Sequence, residues 1–256
     1  MISDKDKIIY IDIGTHKGQE FSAFNMNKYS IYYKLIKHNL ISLFSKRHKF
    51  LNLKKIKILL STCQYIRRNR KLIFSVLVEP NFVLLNNKSY KYADAVIQAS
   101  ISKRKDKNLS LKNLFIPLGD SGSQSSSLYK KKFEGNTNSI TTLSLNPNNL
   151  FKLVKDYLKN ITIEYSTVVL RVNNEGNEDE CIYSLCDVFD DKKIYVMGSL
   201  DDVYKIKGYK SYENLEKYLL EKKLSLYKFS TILNSWIEPT LVIKKIIEKI
   251  NAEKKI

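Results

Sequence analysis

Residues 8–18 have the sequence Ile8-Ile9-Tyr10-Ile11-Asp12-Ile13-Gly14-Thr15-His16-Lys17-Gly18. The apolar part of this stretch is almost continuous, and it predicts a strand over residues 7–13. A strand of this kind is buried on both faces, as strands of a parallel sheet are. Gly14 to Gly18 predict a turn, and residues 19–21 predict the start of a helix. This strand–turn–helix unit indicates an α/β protein.

Further strands and helices alternate along the chain. The predicted strands cover residues 72–78, 93–99, 167–172, 193–197 and 224–229, and the predicted helices cover residues 150–158, 180–189, 212–222 and 242–252. This alternation is typical of α/β folds with a mostly parallel sheet. Residues 102–138 are polar and rich in serine, so we expect a long loop or short hairpins there.

The composition is that of one folded domain with an excess of positive charge. The 256 residues include 44 Lys and Arg against 26 Asp and Glu, which gives a net charge of +18, and 43% of the residues are apolar. This apolar fraction excludes a disordered chain, and we expect a single domain over residues 1–256. No apolar run is long enough to span a membrane, and residues 1–6 lack the core of a signal peptide. We therefore expect a cytoplasmic protein without a transmembrane segment.

The cysteines and histidines do not predict a metal site. Cys63, Cys181 and Cys186 are odd in number and lack the spacing of metal ligands, so a disulfide framework is not expected either. His16, His38 and His48 have no His or Asp four residues away on the same helix face.

The excess charge is concentrated between the first two predicted strands. Residues 21–78 contain thirteen Lys and Arg and no acidic residue, so the rest of the chain carries only +5. Apolar residues at helical spacing predict two amphipathic basic helices in this region, which we interpret as an insertion over residues 25–71. Four interpretations stay open: an anionic acceptor contacted by Lys54 and Lys55, a nucleic acid, an anionic membrane surface, or a solvated face in a protein from an AT-rich genome.

Polar residues follow several predicted strands at the point where each strand ends. In an open parallel sheet, ligands bind beyond these carboxyl ends. The first strand ends in Asp12 and the turn from Gly14 to Gly18, and the second ends in Glu79, whose carboxylate can accept the hydroxyl hydrogens of a ribose. The third and fourth strands end in the residues Ala99, Ser100, Asn173 and Glu175. Ala99 and Ser100 are small enough to lie beside a purine.

These strand ends resemble the FkbM-type methyltransferases, a family of class I methyltransferases that use S-adenosylmethionine. The similarity spans about residues 8–185. It is carried by Ile11-Asp12-Ile13-Gly14-x-x-x-Gly18, Glu79-Pro80-Asn81, Ala99-x-Ser, Ser125-Ser126-Ser127-Leu128 and residues 170–178, LRVNNEGNE. The last block is the most specific part of the resemblance. At this place the family pattern reads approximately L-K-I-D-x-E-G-x-E.

The resemblance implies a Rossmann-like class I methyltransferase fold with a mostly parallel seven-stranded sheet, and O-methylation of a sugar, glycan or related small molecule. S-adenosylmethionine would lie across the strand ends, with Asp12 supporting the turn. The implied contacts to it are Gly14, Thr15, His16 and Gly18 at the methionine part, Glu79 with Pro80 and Asn81 at the ribose, and Ala99 with Ser100 at the adenine. Ser126 and Ser127 would border the acceptor pocket.

One departure from the family pattern concerns the chemistry. Asn173 stands where the family has Asp, and a neutral amide cannot take a proton at pH 7. Glu175 or Glu178 would then carry the charge, or positioning alone would suffice, or the activity would be impaired. Two further hypotheses follow: an RNA methyltransferase whose basic insertion contacts phosphates, and a non-catalytic adaptor that retains the fold.

Overall fold

The computed structural model describes residues 6–18, 21, 24–25, 28–44, 53–118, 126–228 and 237–253. Within these ranges the chain alternates between strands and helices. The strands are β1 (Asp6–Ile13), β2 (Ile73–Val78), β3 (Ala95–Ile97), β4 (Ser100–Ile101), β5 (Leu109–Pro117), β6 (Thr137–Leu145), β7 (Glu164–Val172), β8 (Lys193–Gly198) and β9 (Ser225–Lys228). The α-helices are α1 (Lys28–Phe44), α2 (Leu53–Arg68), α3 (Phe82–Leu85), α4 (Pro147–Asn160), α5 (Glu178–Val188), α6 (Asp201–Lys207), α7 (Tyr209–Glu221) and α8 (Ile237–Glu253).

The central sheet has six strands in the described residues, in the order β3-β2-β1-β7-β8-β9. Every neighbouring pair in it is parallel. The predicted α/β class and the mostly parallel sheet are therefore confirmed. A seventh strand stays a prediction, and so does the interpretation of residues 25–71 as an insertion.

The sheet is covered on both faces, which is why its strands are so apolar. Along β1, Ile8 and Tyr10 belong to one buried cluster, while Ile9, Ile11 and Ile13 belong to another. This alternation follows from the two-residue period of a strand. The first cluster includes apolar residues of α1, α2 and α8, and the second includes those of α4, α5 and α7. The fold is thus a sheet between two layers of helices.

Two helices, α1 and α2, connect β1 to β2, as the spacing of apolar residues predicted. In α2 the buried apolar residues are Leu59, Leu60, Cys63 and Ile66, which share one face of the helix. This face packs against α8. Among the described helices none combines the length and apolarity that crossing a bilayer requires.

Residues 102–138 were predicted to form a long loop or short hairpins, and the hairpin that the structure shows there has longer strands than predicted. Residues 109–117 form the nine-residue strand β5, which pairs antiparallel with β6 in a separate sheet of order β4-β6-β5. Leu109 and Leu111 are exposed on it, so the strand lacks the buried apolar face that makes a strand recognisable in sequence. The predicted strand over residues 93–99 was also too long, because β3 ends at Ile97 and Ser100 begins β4.

Candidate functional site

The strand order reverses beside β1, and this places the candidate site. From β1 the chain continues to β2 and β3 on one side, whereas β7, β8 and β9 lie on the other. A crevice forms outside the carboxyl ends of parallel strands at such a switch point. The residues after β1, β2 and β7 meet here, and these three strand ends carry most of the predicted site residues.

The turn after β1 is held tightly against both neighbouring strands. The amide of Gly14 donates to the carbonyl of Val78 at 3.0 Å, and the amide of Asn173 donates to the carbonyl of Ile13 at 3.0 Å. Gly14 has φ +74°, and a Cβ atom on it would lie 2.1 Å from the carbonyl oxygen of Asn173. Only glycine fits this position, because both the angle and the space exclude a side chain.

A buried ion pair supports the turn from below. Arg171 Nη1 lies 3.1 Å from Asp12 Oδ1 and donates to the carbonyl of Gly14 at 2.6 Å. Asp12 also accepts from the hydroxyl of Tyr10 at 3.2 Å, and its carbonyl accepts from the hydroxyl of Thr15 at 2.8 Å. No role for Arg171 was predicted from the sequence. The available signal was an arginine inside the apolar run of residues 168–172.

Glu79 joins the end of β2 to the same turn. Its Oε2 accepts from the amide of His16 at 2.7 Å, and its Oε1 accepts from the amide of Asn81 at 2.9 Å. The residue is only 4% exposed. Burial raises the pKa of Glu79 from 4.5 to about 7, assisted by the charge of Asp12 and opposed by the two amide hydrogen bonds and Arg171. Each carboxylate oxygen retains a lone pair for one more donor.

The other residues after β2 have structural partners. The side chain of Asn81 accepts from the amide of Val83 and so caps α3. The carbonyl of Pro80 accepts from the hydroxyl of Thr142 at 3.3 Å, which ties the end of β2 to β6. The hydroxyl of Tyr90 donates to the carbonyl of His16, whose φ is +56°. Hydrogen bonds therefore join the residues predicted to contact the ribose to the turn predicted to contact the methionine part of the cofactor.

The predicted adenine contacts lie inside the fold. Ala99 is buried in the core cluster that includes Val76 and Val78. Ser100 is buried as well, and its hydroxyl donates to the carbonyl of Leu143 on β6 at 3.2 Å. Both residues are therefore enclosed by the fold, and they do not line an open face of the crevice.

The block after β7 carries its carboxylates in two different environments. Glu175 has φ +62° and forms an ion pair with Lys132, which also lies 3.0 Å from Asp202 Oδ2. Asn173 Nδ2 donates to Glu175 Oε1 at 3.4 Å. Lys132 and Asp202 were missed in the sequence. The run of lysines at residues 130–132 was a signal for Lys132, and the sequence offered none for Asp202.

Glu178 is fully buried at the start of α5. Both of its carboxylate oxygens accept from the amide of Gly176, at 3.0 and 3.2 Å. Burial raises the pKa of Glu178 from 4.5 to about 7, and the charges of Asp202 and Asp179 raise it further against these hydrogen bonds. The geometry suits a residue that positions the block after β7.

The serine-rich segment ends beside this block. Ser127 is buried and its hydroxyl donates to the carbonyl of Glu175 at 2.8 Å, while Ser126 is half-buried. Residues 119–125 lie outside the described residues. A cavity of about 300 Å³ is lined by Lys131, Lys132, Asp202, Lys205 and Ile206, and Lys132 is the ion-pair partner of Glu175.

Of the two predicted acceptor contacts on α2, the structure describes the side chain of Lys54 alone. Lys54 is exposed near the start of α2, and the side chain of Lys55 lies outside the described part of the structure. The described residues also contain no group of three or more His, Cys, Asp or Glu side chains that could hold a metal ion.

The comparisons with known proteins are negative. No family model, curated protein or solved structure matches this chain.

Proposed function

We propose that this chain is an S-adenosylmethionine-dependent O-methyltransferase acting on a sugar, glycan or related small molecule. One observation carries the proposal. A glycine turn after β1 and a carboxylate after β2 are hydrogen-bonded to each other at the switch point of a parallel sheet. Nucleotide ligands bind at this place, with an acidic residue at the end of the second strand on the ribose.

The residues present fit one end of this cofactor better than the other. Glu79 keeps acceptor capacity on both carboxylate oxygens, which is the chemistry that ribose hydroxyls need, but it is 4% exposed, as Ser100 is, so a ribose reaches it only if the turn after β1 opens. Ala99 and Ser100 are covered by the chain itself, so the adenine contacts implied by the resemblance do not fit as the structure stands. Gly14, Thr15, His16 and Gly18 would lie at the methionine part.

The acceptor side is proposed at the end of β7. When bound, S-adenosylmethionine supplies a methyl group on a positively charged sulfur, which an acceptor oxygen attacks in line. Among the carboxylates here, Glu175 is partly exposed whereas Glu178 is buried, so Glu175 is the one that can face an acceptor hydroxyl and hold its proton. Asn173 would position the reactants, since alignment alone supplies much of the rate.

The hypothesis of a non-catalytic adaptor is favoured by the partners of the side chains that follow β7. Glu175 is ion-paired with Lys132, Glu178 is buried and Asn173 is neutral, so the described carboxylates after β7 all have internal partners. A non-catalytic protein with this fold requires no carboxylate that is available to an acceptor. Binding of the methyl donor separates the two hypotheses, because an adaptor does not require it.

The test is calorimetric titration with S-adenosylhomocysteine of the wild type and two variants. Glu79→Gln and Glu178→Gln form a matched pair, because both residues are buried carboxylates that accept backbone amides and have a pKa near 7. We expect Glu79→Gln to weaken binding roughly tenfold or more, as loss of a charged hydrogen-bond partner does. Glu178→Gln should bind like the wild type. Equal affinities in all three proteins, or no binding to the wild type, would exclude the proposed site.

A further inference from the structure

Helix α1 has one apolar face in the core and a second whose described side chains are exposed. Ile31 and Leu35 are each 1% exposed and belong to the core. On the rest of the helix, five large apolar or aromatic side chains are 39–68% exposed. They are Tyr32, Tyr33, Ile36, Leu40 and Leu43, which we call the outward stripe.

The outward stripe is continuous and lies opposite the core. At 3.6 residues per turn, its members fall within an arc of about 100°, roughly on the far side of the helix from Ile31 and Leu35. From Tyr33 to Leu43 they recur at intervals of three, four and three, which is the period of an amphipathic helix. A surface helix normally places polar residues there, and a contiguous exposed apolar patch marks an interaction site.

The helix that carries the outward stripe and the helix packed against it both expose cations. The stretch from residue 21 to residue 78 has thirteen Lys and Arg and no acidic residue. Lys37 is exposed on α1, and α2, which packs against α1, exposes Lys54, Lys57, Arg67 and Arg68. A partner that lies on this region must therefore combine an apolar layer with negative charge.

An anionic lipid surface has both properties. Its acyl boundary takes aliphatic side chains, its headgroup level suits the amphipathic ring of tyrosine, and its phosphates attract Lys and Arg. The positive charge extends over two helices instead of forming a defined pattern. A fluid surface accepts such a distribution, whereas a folded protein partner requires matched positions.

We propose that α1 binds the surface of an anionic bilayer, with the outward stripe in the boundary between headgroups and acyl chains and the cations of α1 and α2 on the phosphates. The helix lies in the plane of the surface. The proposal is independent of the proposed methyl transfer, because it uses none of the residues at the carboxyl ends of the strands.

The first measurement is sedimentation of the full chain with vesicles of phosphatidylcholine, alone or mixed equally with phosphatidylglycerol. Binding to the mixed vesicles should exceed binding to the neutral ones roughly tenfold or more, and it should weaken as salt is added. Absence of binding to the mixed vesicles would overturn the proposal.

The second measurement compares two triple variants. Ile36→Gln, Leu40→Gln and Leu43→Gln remove apolar surface from the outward stripe. The control changes Leu111, Leu153 and Leu220 to Gln, which are exposed on β5, α4 and α7 by 72%, 49% and 78%. Circular dichroism verifies that both proteins remain folded.

The stripe variant should lose at least roughly tenfold in partition to mixed vesicles, whereas the control should stay within about twofold of the wild type. Equal binding by both variants would overturn the proposal. It would also be overturned if light scattering showed a wild-type dimer that only the stripe variant dissociates, because a second copy of the chain would then cover the stripe.

Discussion

At the scale of single residues, Arg171 and Asp12 form a buried ion pair under the turn that follows β1. Removing the arginine leaves a carboxylate inside the fold without its cation, which is far more costly than replacing the whole pair. We expect Arg171→Met to lower the free energy of unfolding by about 3–5 kcal/mol in urea titrations. The double variant Asp12→Asn/Arg171→Met should recover part of this loss. A loss under about 1 kcal/mol for the single variant would show that the pair does not support the turn.

The raised pKa values of Glu79 and Glu178 predict a pH dependence of stability. The folded protein keeps protons on these groups between pH 4.5 and about 7, where the unfolded chain has released them. Their contribution to the free energy of unfolding therefore falls as the pH rises through this range. Glu178→Gln keeps an oxygen that can accept from the amide of Gly176 and removes the charge.

We therefore expect Glu178→Gln to be more stable than the wild type at pH 8 by roughly 1–3 kcal/mol, and the difference to shrink towards pH 5. Urea titrations of both proteins at the two pH values measure it. A variant less stable than the wild type at pH 8 would contradict the account.

Asn173 lies beside a carboxylate, and this explains how a neutral amide fits the position. Its Nδ2 donates to Glu175 Oε1 at 3.4 Å, so Asn173→Asp would place two like charges there. We expect this variant to be less stable than the wild type by about 1 kcal/mol at pH 8, measured by urea titration. Once an acceptor is found, its turnover should rise less than about tenfold, because positioning supplies much of the rate. A larger gain would mean that Asn173 limits catalysis.

At the scale of elements, the turn after β1 depends on Gly14. A Cβ atom there would meet backbone oxygen, which no side-chain rotation can relieve. We expect Gly14→Ala to destabilise the protein by more than about 2 kcal/mol, since a positive φ alone costs roughly 1–2 kcal/mol. Gly135→Ala is the control, because nothing lies within 4 Å of its Cβ position. Thermal unfolding of both variants decides the matter, and equal melting points would show that the turn tolerates a side chain.

The elements differ in how well the sequence predicted them. Strand β1 was predicted to within one residue, because a strand buried on both faces has an unbroken apolar run. Strand β5 was missed, because Leu109 and Leu111 are exposed and Leu114 alone among its leucines is buried, while its pairing with β6 is made by backbone groups. The end of β3 was predicted two residues too late and β4 was not predicted, since the chain changes sheet between Ile97 and Ser100 without a turn residue.

At the scale of the whole molecule, the site depends on contacts between distant parts of the chain. The pairing of Arg171 with Asp12 joins residues 159 apart, and the bond from Tyr90 to His16 joins residues 74 apart. The sequence predicted that the strand ends would meet, because parallel strands place their carboxyl ends at one edge. It did not predict which partners each side chain would take, since these follow from strand order.

We propose that a methyl donor binds at the carboxyl ends of β1 and β2. The decisive experiment is a crystal structure of the protein grown with S-adenosylhomocysteine. We expect the ribose hydroxyls within hydrogen-bonding distance of the Glu79 carboxylate, with the amino-acid part of the ligand over the turn from Gly14 to Gly18. A ligand bound elsewhere, or a protein that takes up none at saturating concentration, would contradict it.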